Sequence, residues 1–227
     1  MPGPPPSRSP PTAGFGHDGL VIDAPTHDEL GPLVKAMADG LHADPGWTHV
    51  VPDDDARLLA GRTLIGQAAR VAFRDGTVLV AREDGAIRGG IIWAGPGEYP
   101  PRWTRQLSAA APMVGLTARI GARTVRELSR FGQAIDQALP AEQIWYVQAL
   151  SVTPAAQGRG LGGALLGQVL AKSDATSVPC YLDTGKQANV AYYQRFGFAL
   201  LDERVLWQDG PTIWRLQRPS QGAAEVS

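Results

Sequence analysis

Leu150-Ser151-Val152-Thr153-Pro154-Ala155-Ala156-Gln157-Gly158-Arg159-Gly160-Leu161-Gly162-Gly163-Ala164-Leu165-Leu166 is the stretch whose reading decides the fold. Its left part is β-branched and apolar, which predicts a strand over 144–152. Its right part is apolar and rich in helix formers, which predicts a helix over 162–172. Gln157-Gly158-Arg159-Gly160-Leu161-Gly162 joins them. In a chain with 27 glycines the hexapeptide alone is a weak signal. Its position between a strand and a helix is what gives it meaning. A helix start carries unpaired N–H donors and partial positive charge, and glycines let backbone amides approach a pyrophosphate closely. Gln157 and Arg159 add side-chain donors for phosphate oxygens.

Working outward, the pattern predicts one mixed α/β sheet flanked by helices. Leu20-Val21-Ile22 reads as a first strand. Thr26-His27-Asp28-Glu29 has capping-box spacing and opens a helix towards Gly40, its regular part starting near Glu29 because of Pro32. A second helix is predicted over 54–69. Strands over 77–82 and 87–93 are joined by Glu83-Asp84-Gly85, whose Asp-Gly pair signals a hairpin. Residues 95–101 form a Gly/Pro loop, and 102–139 read as helical pieces broken around Pro112 and Gly121. A strand over 180–183, a short helix over 189–195 and strands over 200–206 and 212–216 close the chain. No internal repeat is visible.

Composition narrows the class. A formal charge of -1 gives no global footprint for nucleic acid or an anionic membrane. One cysteine excludes an internal disulfide, and Cys180 in an apolar run reads as a buried thiol. No segment approaches the roughly 20 apolar residues a membrane helix needs. The proline-rich start lacks the apolar core of a secretory signal. We therefore expect a disordered lead over 1–18, a single domain over 19–219, a flexible tail over 220–227 and a cytoplasmic location. No set of metal-ligand spacings stands out, so no metal is expected.

The ordered motifs from Trp145 to Arg218 resemble the acyl-CoA-binding half of the GNAT acetyltransferase superfamily, and within it the puromycin N-acetyltransferase group. The matching pieces are Leu150 to Pro154, the glycine loop, Tyr181-Leu182-Asp183-Thr184, Asn189, Tyr192 to Phe198 and Gly210-Pro211-Thr212-Ile213-Trp214. The resemblance implies the GNAT acyl-CoA N-acyltransferase fold and acetyl-CoA as co-substrate. It places the acetyl carbonyl and pantetheine arm on backbone amides around Leu150, Ser151 and Val152. The pyrophosphate falls on Gln157, Gly158, Arg159, Gly160, Leu161, Gly162 and Gly163, with Asn189 nearby. It also gives Tyr193 the role of protonating the departing thiolate. Tyr192, next door, reads as a core residue.

Many family members carry a glutamate in the strand before the loop, whereas this chain reads Trp145-Tyr146-Val147-Gln148. Asp183 stands where the puromycin-type enzymes have an acid. It either takes the amine proton, directly or through water, or caps the following turn. His42, His49, Asp44 and Glu98 fall in loops that would rim the acceptor site without a catalytic role. Trp47, Trp93, Tyr99 and Trp103 either stack a planar acceptor or pack as ordinary core and rim residues. Arg102, Arg105, Arg119, Arg123, Arg126 and Arg130 make the middle region basic, either a solvated face or a site for a phosphorylated partner.

The expected activity is acetyl transfer from acetyl-CoA to an amine of a small, antibiotic-like molecule, by direct attack in a ternary complex. The alternatives are the same fold with another acyl donor such as aminoacyl-tRNA, and a non-catalytic acyl-CoA-binding module. The expected partner is a small-molecule amine, with no nucleic acid and no membrane, in a monomer or homodimer.

Overall fold

The computed structural model describes residues 19–99 and 110–221. The 1–18 lead, Pro101, Arg102, Trp103, Arg105 and the last six tail positions lie outside the described residues. A seven-stranded mixed sheet in the order β1-β2-β3-β4-β5-β7-β6 runs through the chain. Its strands are β1 (Leu20–Asp23), β2 (Val78–Glu83), β3 (Ala86–Ala94), β4 (Trp145–Val152), β5 (Cys180–Thr184), β6 (Ala199–Val205) and β7 (Thr212–Arg218). Among the described residues only β4 and β5 pair in parallel; every other neighbouring pair is antiparallel.

The helices are α1 (Leu30–Leu41), α2 (Pro45–Val50), α3 (Asp54–Asp75), α4 (Ala110–Ile120), α5 (Ala122–Ala138), α6 (Leu161–Thr176) and α7 (Ala188–Gln194). Each starts or stops for a local reason. The capping box precedes α1, with Thr26 N donating to Glu29 Oε2 at 2.7 Å. Pro32 then falls in the first turn, where its missing N–H has no carbonyl to lose. Asp44 caps the short α2, which the periodicity was too brief to reveal, by accepting from Gly46 N at 2.9 Å. Asp53 caps α3 from Ala56 N at 2.8 Å, and Gly76 ends it in the left-handed region. Pro112 is the third residue of α4, where a proline is tolerated, and the positions before Ala110 lie outside the described residues. Gly121 does separate α4 from α5. In the β2–β3 turn Asp84 and Gly85 both have positive φ, 52° and 76°, as a tight hairpin requires.

Strand alternation divides the core between the two faces. Val78, Val80 and Ile92 face α1 and α3, against Leu33, Met37, Ile65 and Ala69. Ala81, Ile91 and Trp93 face α6, against Leu165, Leu166 and Val169. A third cluster joins α2, α4 and α5 around Val51, Leu116, Leu128, Phe131 and Ile213. At Gly40, α1 meets the sheet with no clearance. A Cβ there would stand 2.5 Å from the Val152 carbonyl oxygen and 2.3 Å from Ser151 Oγ. Ser151 Oγ in turn donates to the Met37 carbonyl at 2.9 Å, fastening β4 to that helix. Among the described residues no helix is long and apolar enough to cross a membrane.

Candidate active site

The parallel pairing of β4 and β5 stops early. Trp145 aligns with Cys180 and Tyr146 with Tyr181, but the strands separate beyond that point although β4 continues to Val152 and β5 to Thr184. Along the other edge of β4, Ile92 faces Ala149 and Trp93 faces Val147, so Gln148 is an extra residue in β4. Such a bulge reverses which way later amides point. Before it, Trp145 N donates towards β5, to the Pro179 carbonyl at 2.9 Å. After it, Thr153 N donates towards β3, to the Arg88 carbonyl at 2.7 Å. By alternation the amides of Leu150 and Val152 face away from β3, into the gap between β4 and β5. Their side chains pack towards α6, while Ser151 turns its own hydroxyl to α1.

The gap opens into a cleft of about 870 Å³. Leu150, Ser151, Val152, Gln157, Gly158, Gly160, Leu161, Gly162, Gly163 and Asn189 all line it, as do Tyr192 and Tyr193. Gly158 and Gly160 have φ of 77° and 83°, which lets the loop fold back over the start of α6. The first helical bond runs from Ala164 N to the Gly160 carbonyl at 3.0 Å. The amides of Leu161, Gly162 and Gly163 therefore have no carbonyl partner within the helix and sit at the cleft wall. Gln157 Nε2 donates to the Val152 carbonyl at 3.1 Å, tying the loop to the strand. The arrangement fits acetyl-CoA: free strand amides, glycines with left-handed backbone and a helix start share one cleft of ligand size.

Asn189 Nδ2 donates to Thr184 Oγ1 at 3.0 Å, joining α7 to the end of β5. Tyr193, one turn later, is 8% exposed, and its hydroxyl has no hydrogen-bond partner among the described residues. Burial first, then Tyr192, Asp183 and Asp44, push it well above the ordinary tyrosine range. It is thus a neutral phenol at any working pH. Asp183 is partly buried at the C-terminal end of β5 and accepts from Tyr146 Oη at 3.0 Å. Burial pushes its carboxyl up to about 6, the Tyr146 bond and Arg215 lowering it and Asp44 and Asp136 raising it. Asp44 belongs to the same neighbourhood: a Cβ on Gly185 would lie 2.6 Å from its Oδ1. Tyr193 lines the cleft whereas Asp183 lies behind its wall, close enough for its charge to act on the Tyr193 phenol.

Residues 119–200 match the family model described as Acetyltransferase (GNAT) domain. Over those residues the chain is similar to a GNAT acetyltransferase domain. That match runs from the end of α4 into β6 and takes in β4, the glycine loop, α6, β5 and α7. Solved structures extend the likeness to nearly the whole fold. A Corynebacterium glutamicum structure described as histone acetyltransferase HPA2 and related acetyltransferase aligns with TM-score 0.62 at 20% identity, covering 91% of this chain and 99% of that one. The polyamine N-acetyltransferase of Drosophila melanogaster aligns with TM-score 0.56 at 16% identity, covering 88% and 99%. A Salmonella typhimurium structure holding acetyl-CoA as its cofactor aligns with TM-score 0.52 at 16% identity, covering 92% and 98%.

Several side chains stand elsewhere than the sequence alone suggests. Trp93 is 3% exposed and in the core, not at the acceptor rim, because alternation sends it to the face of Ile91 against α6. Arg159 points out of the cleft and pairs with Glu83 at 2.5 Å, on the β2–β3 hairpin. Tyr192 is a cleft residue and not a core one. A Cβ on Gly162 would lie 2.9 Å from its hydroxyl, and one on Gly163 would lie 2.8 Å from Phe196 Cζ, so these glycines let α7 close onto α6. Arg195 also reaches the cleft and lies over the Tyr192 ring at 5.1 Å, a cation within the Tyr192–Phe198 motif that the motif alone gave no role.

Trp47 packs against the Val50–Val51–Phe131 cluster, and Tyr99 donates to Asp136 Oδ1 at 2.6 Å while standing edge-on to Tyr146. His42 is half-buried beside Arg57, His49 is exposed, and Glu98 accepts from Gly95 N at 2.8 Å. Cys180 is fully buried, its thiol pushed up to about 12 by burial. Among the described residues no group of three or more His, Cys, Asp or Glu is placed to hold a metal.

Proposed function

We propose that this chain transfers an acetyl group from acetyl-CoA to an amine of a small molecule by direct attack in a ternary complex. The observation that carries this reading is the separation of β4 from β5 opposite the free amides of Leu150 and Val152, continuous with the glycine loop. When bound, acetyl-CoA supplies an activated acyl thioester. The Leu150 and Val152 amides are oriented to hold its carbonyl and arm, and such donors act most strongly where negative charge develops on oxygen. The amides of Leu161, Gly162 and Gly163 and the loop glycines are oriented to hold the pyrophosphate.

Acylation of nitrogen needs a proton removed from the amine and one returned to the leaving sulfur. Asp183 is the acceptor for the first. Its carboxyl, held up to about 6, is ionised at neutral pH yet far more basic than an exposed aspartate. Tyr193 serves the second as a neutral phenol. Burial makes full proton transfer from it harder, so its contribution is chiefly a hydrogen bond to the charging sulfur. The acids and tyrosines around Asp183 favour a cationic amine that is deprotonated in place. An antibiotic-like acceptor follows from the puromycin-type motifs.

The experiment is incubation with acetyl-CoA and a panel of arylalkyl amines, polyamines and aminonucleosides, following free CoA thiol and acylated product together. Thiol release that depends on the amine and matches product one to one supports the reading. CoA binding without turnover on any amine would leave only a binding module.

A further inference from the structure

Tyr146 occupies the last aligned position before β4 and β5 part, opposite Tyr181. Asp183 lies two residues further along β5, on the same side of that strand as Tyr181 and already beyond the point of separation. The Tyr146 hydroxyl crosses this opening and donates to Asp183 Oδ2 at 3.0 Å. The ring that carries it is 5% exposed and fixed on two sides. Tyr99 stands edge-on at 5.0 Å between centroids, and Tyr181 lies at 5.7 Å. Tyr99 is itself held by its bond to Asp136 on α5.

We propose that Tyr146 is a positioning residue, a brace that holds the Asp183 carboxylate across the opening of the two strands and aims its other oxygen at the acceptor nitrogen. The catalytic part of this proposal rests on the reading of Asp183 as the proton acceptor. A carboxylate at the end of a strand that has lost its neighbour is otherwise free to rotate about χ1 and χ2, and it has no partner on β4 except this phenol. The brace also favours the ionised acid, because a donor that cannot itself lose its proton stabilises only the charged form. Burial first, then Asp183 and the phenols of Tyr99 and Tyr181, keep Tyr146 protonated far above the ordinary tyrosine range.

Other groups act on Asp183 from each side. Arg215 on β7 lies beside it in register, also bonds Tyr181 Oη at 3.1 Å, and favours the anion. Asp44 at the start of α2 and Asp136 on α5 oppose it. Lys186, just past β5, acts on Asp44, while Tyr181 and the Tyr193 phenol on α7 both feel the Asp183 charge. Of all these, only Tyr146 gives Asp183 a side-chain hydrogen bond among the described residues, so its removal is separable from theirs.

The test uses the full chain with ¹³C-carboxyl aspartate, Asp183 being assigned by the Asp183→Asn variant. Tyr146→Phe keeps the ring and deletes the donor. The Asp183 carboxyl should then titrate at higher pH, and the acid limb of kcat/KM should move with it, giving about a 3- to 10-fold loss at pH 6 that shrinks above pH 8. A merely structural role for the hydroxyl would lower kcat/KM equally at every pH. An unchanged carboxyl titration overturns the brace. In the wild-type protein the Tyr146 Cζ shift should follow the same midpoint as the Asp183 carboxyl, and a flat Tyr146 signal overturns the proposal even where Tyr146→Phe does not fold. Wild-type kcat/KM in Asp183→Asn would instead remove the proton-acceptor reading, and with it the catalytic role of the brace.

Discussion

Replacing Asp183 with asparagine should make the protein more stable at neutral pH while nearly abolishing catalysis. Burial, with Asp44 and Asp136 nearby, holds the carboxyl up to about 6, against about 3.9 for an unfolded aspartate. The native state therefore keeps a proton that the unfolded chain gives up. The resulting stability is fully present below about pH 3.9 and is lost as pH rises through about 6. Ionising Asp183 in the folded protein costs on the order of 3 kcal/mol relative to the unfolded chain. Asparagine has no charge to bury, and its side-chain oxygen still accepts from Tyr146. Arg215 loses one neighbour but retains Asp202 at 2.9 Å. Allowing for solvent at the cleft mouth, a net gain of about 1–2 kcal/mol at pH 8 remains. In a domain of this size that is about 2–8 °C in Tm. Urea melts of both proteins at pH 4 and pH 8 measure it, with the difference vanishing at pH 4. In the same variant kcat should fall by about 100-fold or more. A variant less stable than wild type at pH 8, or equally stabilised at both pH values, would refute the burial argument.

Tyr193→Phe removes a hydroxyl with no partner among the described residues from a buried ring packed on Phe198, so stability should hold. kcat should drop towards the lower end of the 100- to 10,000-fold range of acid catalysis, with KM for acetyl-CoA within a few-fold. Wild-type kcat under conditions where chemistry limits turnover would take the phenol out of the mechanism. Gly160→Val forces a β-branched residue to φ 83°. It should cost about 1–3 kcal/mol of stability and weaken CoA binding by more than tenfold in calorimetry; unchanged affinity in a folded variant would overturn the loop assignment. Arg119, Arg123 and Arg126 are exposed on α4 and α5, yet kcat/KM should depend only weakly on salt. A steep dependence, near -0.7 to -0.9 per neutralised phosphate in log–log slope, together with RNase-sensitive turnover, would favour an RNA-borne donor.

Features governed by local chemistry were legible in the sequence. The Asp84-Gly85 hairpin, the Thr26–Glu29 capping box and the helix that starts after Gly160 each depend on a few adjacent residues, and all are present. The early separation of β4 from β5 is a non-local property of strand pairing, which adjacent residues do not record. What local patterns cannot carry is the direction of a side chain fixed by a distant partner. Arg159 reads as a phosphate donor until Glu83, 76 positions earlier, is brought beside it. Trp93 reads as a rim aromatic until the period-2 alternation is tied to a helix on one particular face. Helical spacing placed Tyr193 with Asn189, but the same arithmetic was silent on Tyr192, whose place depends on the absence of side chains at Gly162 and Gly163. The bulge at Gln148 leaves no compositional mark, yet it decides which amides of β4 face the cleft.

The contact at Gly40 has a consequence for anyone who would redesign this protein. The N-terminal helices invite treatment as an exchangeable module, to be swapped for a new acceptor while the cofactor half is kept. Gly40 denies that separation, because its α-carbon leaves no room for a single methyl group against the Val152 carbonyl. Any side chain grafted at that position must lever α1 away from the strand, and the strand it levers against is the one whose amides point into the cleft. A graft that shifts α1 therefore also shifts the strand that lines the cleft, through this one backbone contact.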